Sequence, residues 1–106
     1  MSEKDRLILQ LRRFRAAASR EVPIEHMFLF GSRAWGIPHR YSDIDLVLVS
    51  RAFRRLGFRW RATKMYDFWT LHLPVDFLCY TPEEFNRLRR QRTIVREAVE
   101  HGIEIA

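Results

Sequence analysis

An α/β (α+β) domain is predicted: a small mixed β-sheet of three or more strands, flanked by helices. Three observations carry that expectation. Residues 24–30, 44–49 and 75–80 are apolar runs of strand length, and Pro23 and Pro74 precede the first and third. The segments around them show helical rather than alternating periodicity. A strong helix start, Thr81-Pro82-Glu83-Glu84, follows the last run directly.

Residues 3–20 read as a helix, with Leu7, Leu11, Phe14 and Ala18 on one face and Ser2 placed to cap it, Asp5 lying three residues on. The first strand then runs straight into Gly31. After the second strand, residues 51–72 are expected to be mostly helical, interrupted near Gly57 and studded with Arg51, Arg54, Arg55, Arg59, Arg61 and Lys64. The helix that starts at Thr81, with Pro at its first position, should reach about His101, turn Phe85, Leu88, Val95, Ala98 and Val99 inward, and stop at Gly102. The order is α-β-(short α)-β-α-β-α, which favours helices packed on a sheet.

With 106 residues, 47% of them hydrophobic and 13% aromatic, one folded domain spanning 1–106 is expected rather than a disordered chain. No apolar run nears the roughly 20 residues that span a bilayer, and no secretory signal opens the chain. The expectation is a soluble, cytoplasmic protein with no membrane partner. The one cysteine, Cys79, sits in an apolar run, where a reduced, buried thiol fits a cytosolic compartment. Net charge is +6, from 17 arginines and only two lysines, Lys4 and Lys64. A basic surface attracts ATP, nucleic acid or an acidic protein alike, and composition does not choose among them.

Asp43 and Asp45 are the most informative residues. They stand two apart where a strand begins, and side chains alternate along a strand, so both point to one face. Asp76 is the single charge in the third apolar strand, which is costly unless something pairs with it. An edge aspartate facing water, or one paired with a nearby arginine, explains Asp76 alone. If the third strand lies beside the second, one face presents three carboxylates that raise each other's pKa, and a divalent cation relieves the conflict. Oxygen donors without His or Cys favour Mg²⁺ or Mn²⁺ over Zn²⁺. Two such ions about 3.5–4 Å apart suit an in-line phosphoryl displacement.

Gly31-Ser32 has a matching logic. Glycine permits a tight turn close to a phosphate, Ser32 offers a hydroxyl, and the start of a following short helix favours an anion. Arg33 is placed to contact phosphate or to pair with the acids. Trp35 reads as packing or as a pocket wall. His26, His39, His72 and His101 lack metal-ligand spacing. The arginines of 51–64 and 87–92 read as a solvated face rather than a nucleic-acid groove, although Phe53, Phe58, Trp60 and Tyr66 interleave with them and leave a partner surface open.

Gly31-Ser32-x-Ala34-x-Gly36, then five residues, then Ser42-Asp43-Ile44-Asp45-Leu46, with Asp76 on a later strand, resembles the DNA polymerase beta-like nucleotidyltransferase superfamily. The likeness spans about residues 22–85. The short length, and the ending Arg96-Glu97-Ala98-Val99-Glu100-His101-Gly102, resemble its minimal nucleotidyltransferase (MNT) branch. The resemblance implies the nucleotidyltransferase fold and transfer of a nucleoside monophosphate from ATP or another NTP to a hydroxyl. It implies that Gly31 and Ser32 hold the triphosphate, and that Asp43, Asp45 and Asp76 bind two Mg²⁺ and do the catalysis. Members of that branch are often antitoxins of HEPN-domain toxins, and some adenylylate a tyrosine of the partner. Larger relatives add a helical domain around the base and acceptor; here a partner subunit is expected to supply that wall, and a homo-oligomer is also compatible with the sequence. The rival readings are an NTP-binding antitoxin that neutralises by contact, a small-molecule nucleotidyltransferase and, least favoured, a nucleic-acid binder.

Overall fold

The structure, a computed structural model, describes residues 1–36 and 43–106. Its first helix, α1 (Glu3–Ser19), starts where Ser2 accepts a hydrogen bond from the Asp5 N–H, and it buries Leu7, Leu11, Phe14 and Ala18, the face that their spacing predicts. Arg15 leaves α1 to donate to Ile105 O and Ile24 O, both at 2.9 Å, and so ties the helix to backbone just before the first strand and just after the last. The strands are β1 (His26–Phe30), β2 (Ile44–Val49), β3 (Val75–Tyr80) and a short β4 (Ile103–Glu104).

They form one sheet in the order β3-β2-β1-β4. β1 runs antiparallel to both β2 and β4, whereas β2 and β3 are parallel. A parallel pair needs a crossover. It is built from a 3₁₀ turn (Arg51–Arg55), capped by the Ser50 side chain, and α3 (Phe58–Tyr66). α2 (Ser32–Trp35) is a single turn after β1. The fold class is therefore the expected one, a mixed sheet flanked by helices.

Alternation along the strands divides the interior into two layers. Ile44, Leu46 and Leu48 of β2 join Met27, Leu29, Phe77 and Cys79 under α1 and α3. Val47 and Val49 join Phe28 and Phe30 on the opposite face, beneath Phe85, Val95 and Ala98. These last three belong to α4 (Pro82–Leu88) and α5 (Ile94–His101).

Two expectations need correction. The helix expected from Thr81 to His101 is two helices. Thr93 Oγ1 donates to Leu88 O at 2.7 Å and accepts from Arg96 N at 3.2 Å, so one hydroxyl serves the end of α4 and the start of α5. Residues 67–72 are turn, irregular chain and bend rather than helix. A fourth strand, within the expected three or more, follows α5. Gly102 permits it, because a Cβ there would lie 2.3 Å from Ala98 O and 2.6 Å from Leu29 O.

β3 is an edge strand, and such strands expose unpaired carbonyls. α3 covers them: Tyr66 Oη donates to Val75 O at 2.8 Å and Arg61 Nη1 to Cys79 O at 3.3 Å.

Candidate active site

The end of β1, the start of β2 and the start of β3 meet at one end of the sheet. Pairing places Phe30 opposite Asp45, and Asp45 opposite Asp76. Partners on adjacent strands share a face. Asp45 has the parity of Val47 and Val49, and Asp76 that of Leu78 and Tyr80, so both lie on the α4–α5 face, beyond the apolar cluster that those helices cover. Asp76 is exposed and Asp45 half-buried. Asp43 is exposed just ahead of β2.

Electrostatics links the three. The Asp45 carboxyl is pushed above its ordinary 3.8 by burial first, then by the negative charges of Asp76 and Asp43. Strand pairing has therefore placed acid beside acid. The donor set, hard oxygens alone, fits a divalent cation such as Mg²⁺. Among the described residues, however, no group of three His, Cys, Asp or Glu side chains is already arranged as a metal cluster. The acids share a face and a field, but they do not form a closed ligand cage.

Gly31 is fitted to this corner. It is the one described residue with positive φ, at 79°, a region that glycine enters without steric cost. A Cβ on it would stand 2.4 Å from Asp45 Oδ2. Conformation and space both require glycine here, and its bareness lets β1 turn off directly beside the carboxylate. Ser32 then opens α2, with Arg33 half-buried after it. The first N–H groups of a helix have no partner within it. Those of Ala34 and Trp35 turn back onto Gly31 O. Ser42 and His39 lie outside the described residues.

A cleft of about 400 Å³ adjoins the Gly31–Gly36 turn, lined by Ser2, Lys4, Leu7, Arg33, Trp35 and Gly36 among others. Lys4 was not singled out from the sequence. Its Nζ donates to Ala34 O at 2.7 Å and fastens the start of α1 to the end of α2. Nothing local marks it, since the partners are 30 residues apart. Trp35 is about half exposed and meets His101 edge-on at 6.5 Å. It is thus placed as a wall rather than as core. Arg61, grouped from sequence with a solvated face, is instead buried. It donates to Glu84 Oε1 at 2.6 Å, and Glu84 is also the acidic partner in the Thr81 capping box. Helical spacing from Arg61 to the buried Met65 was the available signal.

The family model for the nucleotidyltransferase domain matches residues 11–104, a span that includes all four strands. The chain belongs to that family. The likeness to DNA polymerase beta-like nucleotidyltransferases read from Gly31-Ser32 and Asp43-Ile44-Asp45 holds at family level, and with it the broad class of transferase and the plausibility of an NTP substrate. Nucleotidyltransferase domains typically use divalent metal ions. A Sulfolobus solfataricus protein provisionally named a nucleotidyltransferase, solved at 1.40 Å, superposes with a TM-score of 0.63. It does so over 79% of this chain and 75% of its own, at 24% identity, and that likeness concerns the fold. No curated protein matches the chain. Among the described residues of this nucleotidyltransferase domain, no helix is long and apolar enough to cross a membrane.

Proposed function

We propose that this nucleotidyltransferase domain moves AMP from ATP onto a hydroxyl, and that it belongs to the MNT branch. On this reading the acceptor is a tyrosine of a HEPN-type toxin, and the domain is its antitoxin. The acceptor oxygen bonds to the α-phosphorus as the bond to pyrophosphate breaks. Gly31 brings bare backbone up to the triphosphate, Ser32 donates its hydroxyl, and Arg33 balances charge. Asp43, Asp45 and Asp76 are the residues that would hold two Mg²⁺, or Mn²⁺. Bound there, these ions supply neutralisation of phosphate charge and an easier deprotonation of the acceptor. Asp76, exposed beside Asp45, is the carboxylate placed to take the acceptor's proton.

The observation that carries this reading is the in-register pairing of Asp45 with Asp76 beside the bare Gly31 turn. The rival reading is an NTP-binding antitoxin that neutralises its partner by contact alone. Labelled ATP separates the two. With ATP, Mg²⁺ and a cognate HEPN-type partner, the wild type should label the partner, and the Asp43→Asn/Asp45→Asn double variant should not. If that variant still restrains its partner, catalysis is not the means of control. A small-molecule acceptor would show as labelled product with no labelled protein.

A further inference from the structure

The sheet edge beside Asp76 is closed by side chains rather than by a strand. Pro74 O accepts from Ile44 N at 2.9 Å and so faces β2. Carbonyls alternate sides along a strand, and the next one, Val75 O, faces the open edge. Tyr66, the last residue of α3, donates its hydroxyl to Val75 O at 2.8 Å. Three residues on, Trp69 Nε1 donates to Leu73 O at 3.1 Å. Both rings also meet Phe77 edge-on, with centroids 4.9 and 5.6 Å away. Tyr66 therefore grips β3 on either side of Asp76, by its hydroxyl at Val75 and by its ring at Phe77.

Asp76 is placed to depend on that grip. Val75 and Phe77 pack into the layer under α1 and α3, whereas Asp76 points to the other face and is exposed. Only β2 borders this strand, and Asp76 is its second residue. A carboxylate that must meet a reacting oxygen within about 0.5 Å needs its backbone held by the residues around it.

We propose that Tyr66 is a positioning residue for nucleotidyl transfer: its hydroxyl, standing in for the N–H of a missing neighbour strand, fixes the backbone that carries Asp76. The proposal rests on the reading of Asp76 as the carboxylate that takes the acceptor's proton. A hydroxyl that merely covered a carbonyl would matter for stability alone. One that positions Asp76 matters for turnover in the folded molecule.

Tyr66→Phe is the test. It removes the hydroxyl, keeps the ring on Phe77, and alters a side chain that is half exposed, so the fold survives. With labelled ATP, Mg²⁺ and a cognate HEPN-type partner, kcat should fall roughly 5–50-fold while KM for ATP stays within about twofold, because a displaced base slows proton transfer without loosening the triphosphate. Cys79→Ser, a destabilising change farther along β3, should leave kcat unchanged. Backbone amide exchange of the full chain, followed by NMR, reads the grip without turnover. The Asp76 amide should exchange roughly 3–10-fold faster in Tyr66→Phe, the effect of one lost hydrogen bond. The Tyr80 amide, beside the Cys79 carbonyl that Arg61 holds, should exchange as in the wild type. Unchanged kcat beside an active wild type, unchanged exchange at Asp76, or equal acceleration at Asp76 and Tyr80 would each overturn the proposal. A wild type that labels no acceptor would overturn the reading of the acids instead, and exchange at Asp76 would still decide whether Tyr66 holds that strand.

Discussion

Asp45 and Asp76 stand opposite each other across the parallel pairing of β2 and β3, so the central strand and the edge strand present neighbouring carboxylates. Burial and the two neighbouring acids raise the Asp45 pKa. The folded state therefore holds its proton more tightly than the unfolded chain does. Stability contributed by Asp45 falls as pH rises from 3.8 through the raised value, and at neutral pH its ionised form is a cost. Asp45→Asn should raise the melting temperature by about 2–4 °C at pH 7, the effect of ~0.5 kcal/mol after screening by solvent. That gain should shrink toward pH 4, while nucleotidyl transfer is lost. A neutral variant that melts lower than the wild type at pH 7 would refute the repulsion described here.

Gly31 and Asp45 should be coupled energetically. Gly31→Ala places a side chain at φ 79° and against Asp45 Oδ2, which should cost about 1–3 kcal/mol in chemical denaturation. In an Asp45→Ala background the clash disappears and only the backbone term remains, so the cost should be smaller. The double-mutant cycle measures the difference, and additive losses would show that the two residues do not press on each other.

Arg61 and Glu84 hold the α3–β3–α4 junction. Arg61→Met leaves the Glu84 carboxylate with its Thr81 N–H bond but no cation, and should cost about 3 kcal/mol. Burial pushes the Glu84 pKa up, but the Thr81 backbone and Arg61 outweigh it and hold the carboxyl below its ordinary 4.5. Its contribution is therefore complete above pH 4.5 and is lost as pH falls through the lowered value. Urea unfolding from pH 7 to pH 3 should show wild type and Arg61→Met converging in acid.

Cys79 is buried under α1 and α3, and burial pushes its thiol up to about 12. The reactive species is the thiolate. A colourimetric thiol reagent at pH 8 should leave the folded chain unmodified over minutes and titrate one thiol in denaturant. Cys79→Ser should preserve transfer while lowering stability by about 1–3 kcal/mol, since a polar atom replaces an apolar one in the core. Rapid labelling of the native chain would contradict this packing.

The sequence by itself determined what is local. The spacing of Leu7, Leu11, Phe14 and Ala18 specifies a buried helix face, the apolar runs specify β1, β2 and β3, and Thr81-Pro82-Glu83-Glu84 specifies a helix start, because periodicity and capping act over a few residues. Gly31-Ser32 followed by Asp43 and Asp45 marked the candidate site for the same reason. The division of α4 from α5 escaped notice because Thr93 reaches Leu88 O through a contact that helical periodicity does not encode. Only the tertiary structure decided that β3 lies beside β2 in the register that sets Asp76 against Asp45. It alone seated Arg61 on Glu84 and turned Phe58 and Trp60 outward. Each of those outcomes depends on how strands and helices far apart in the chain pack, and the balance of burial, pairing and repulsion at such contacts exists only once the layers have closed.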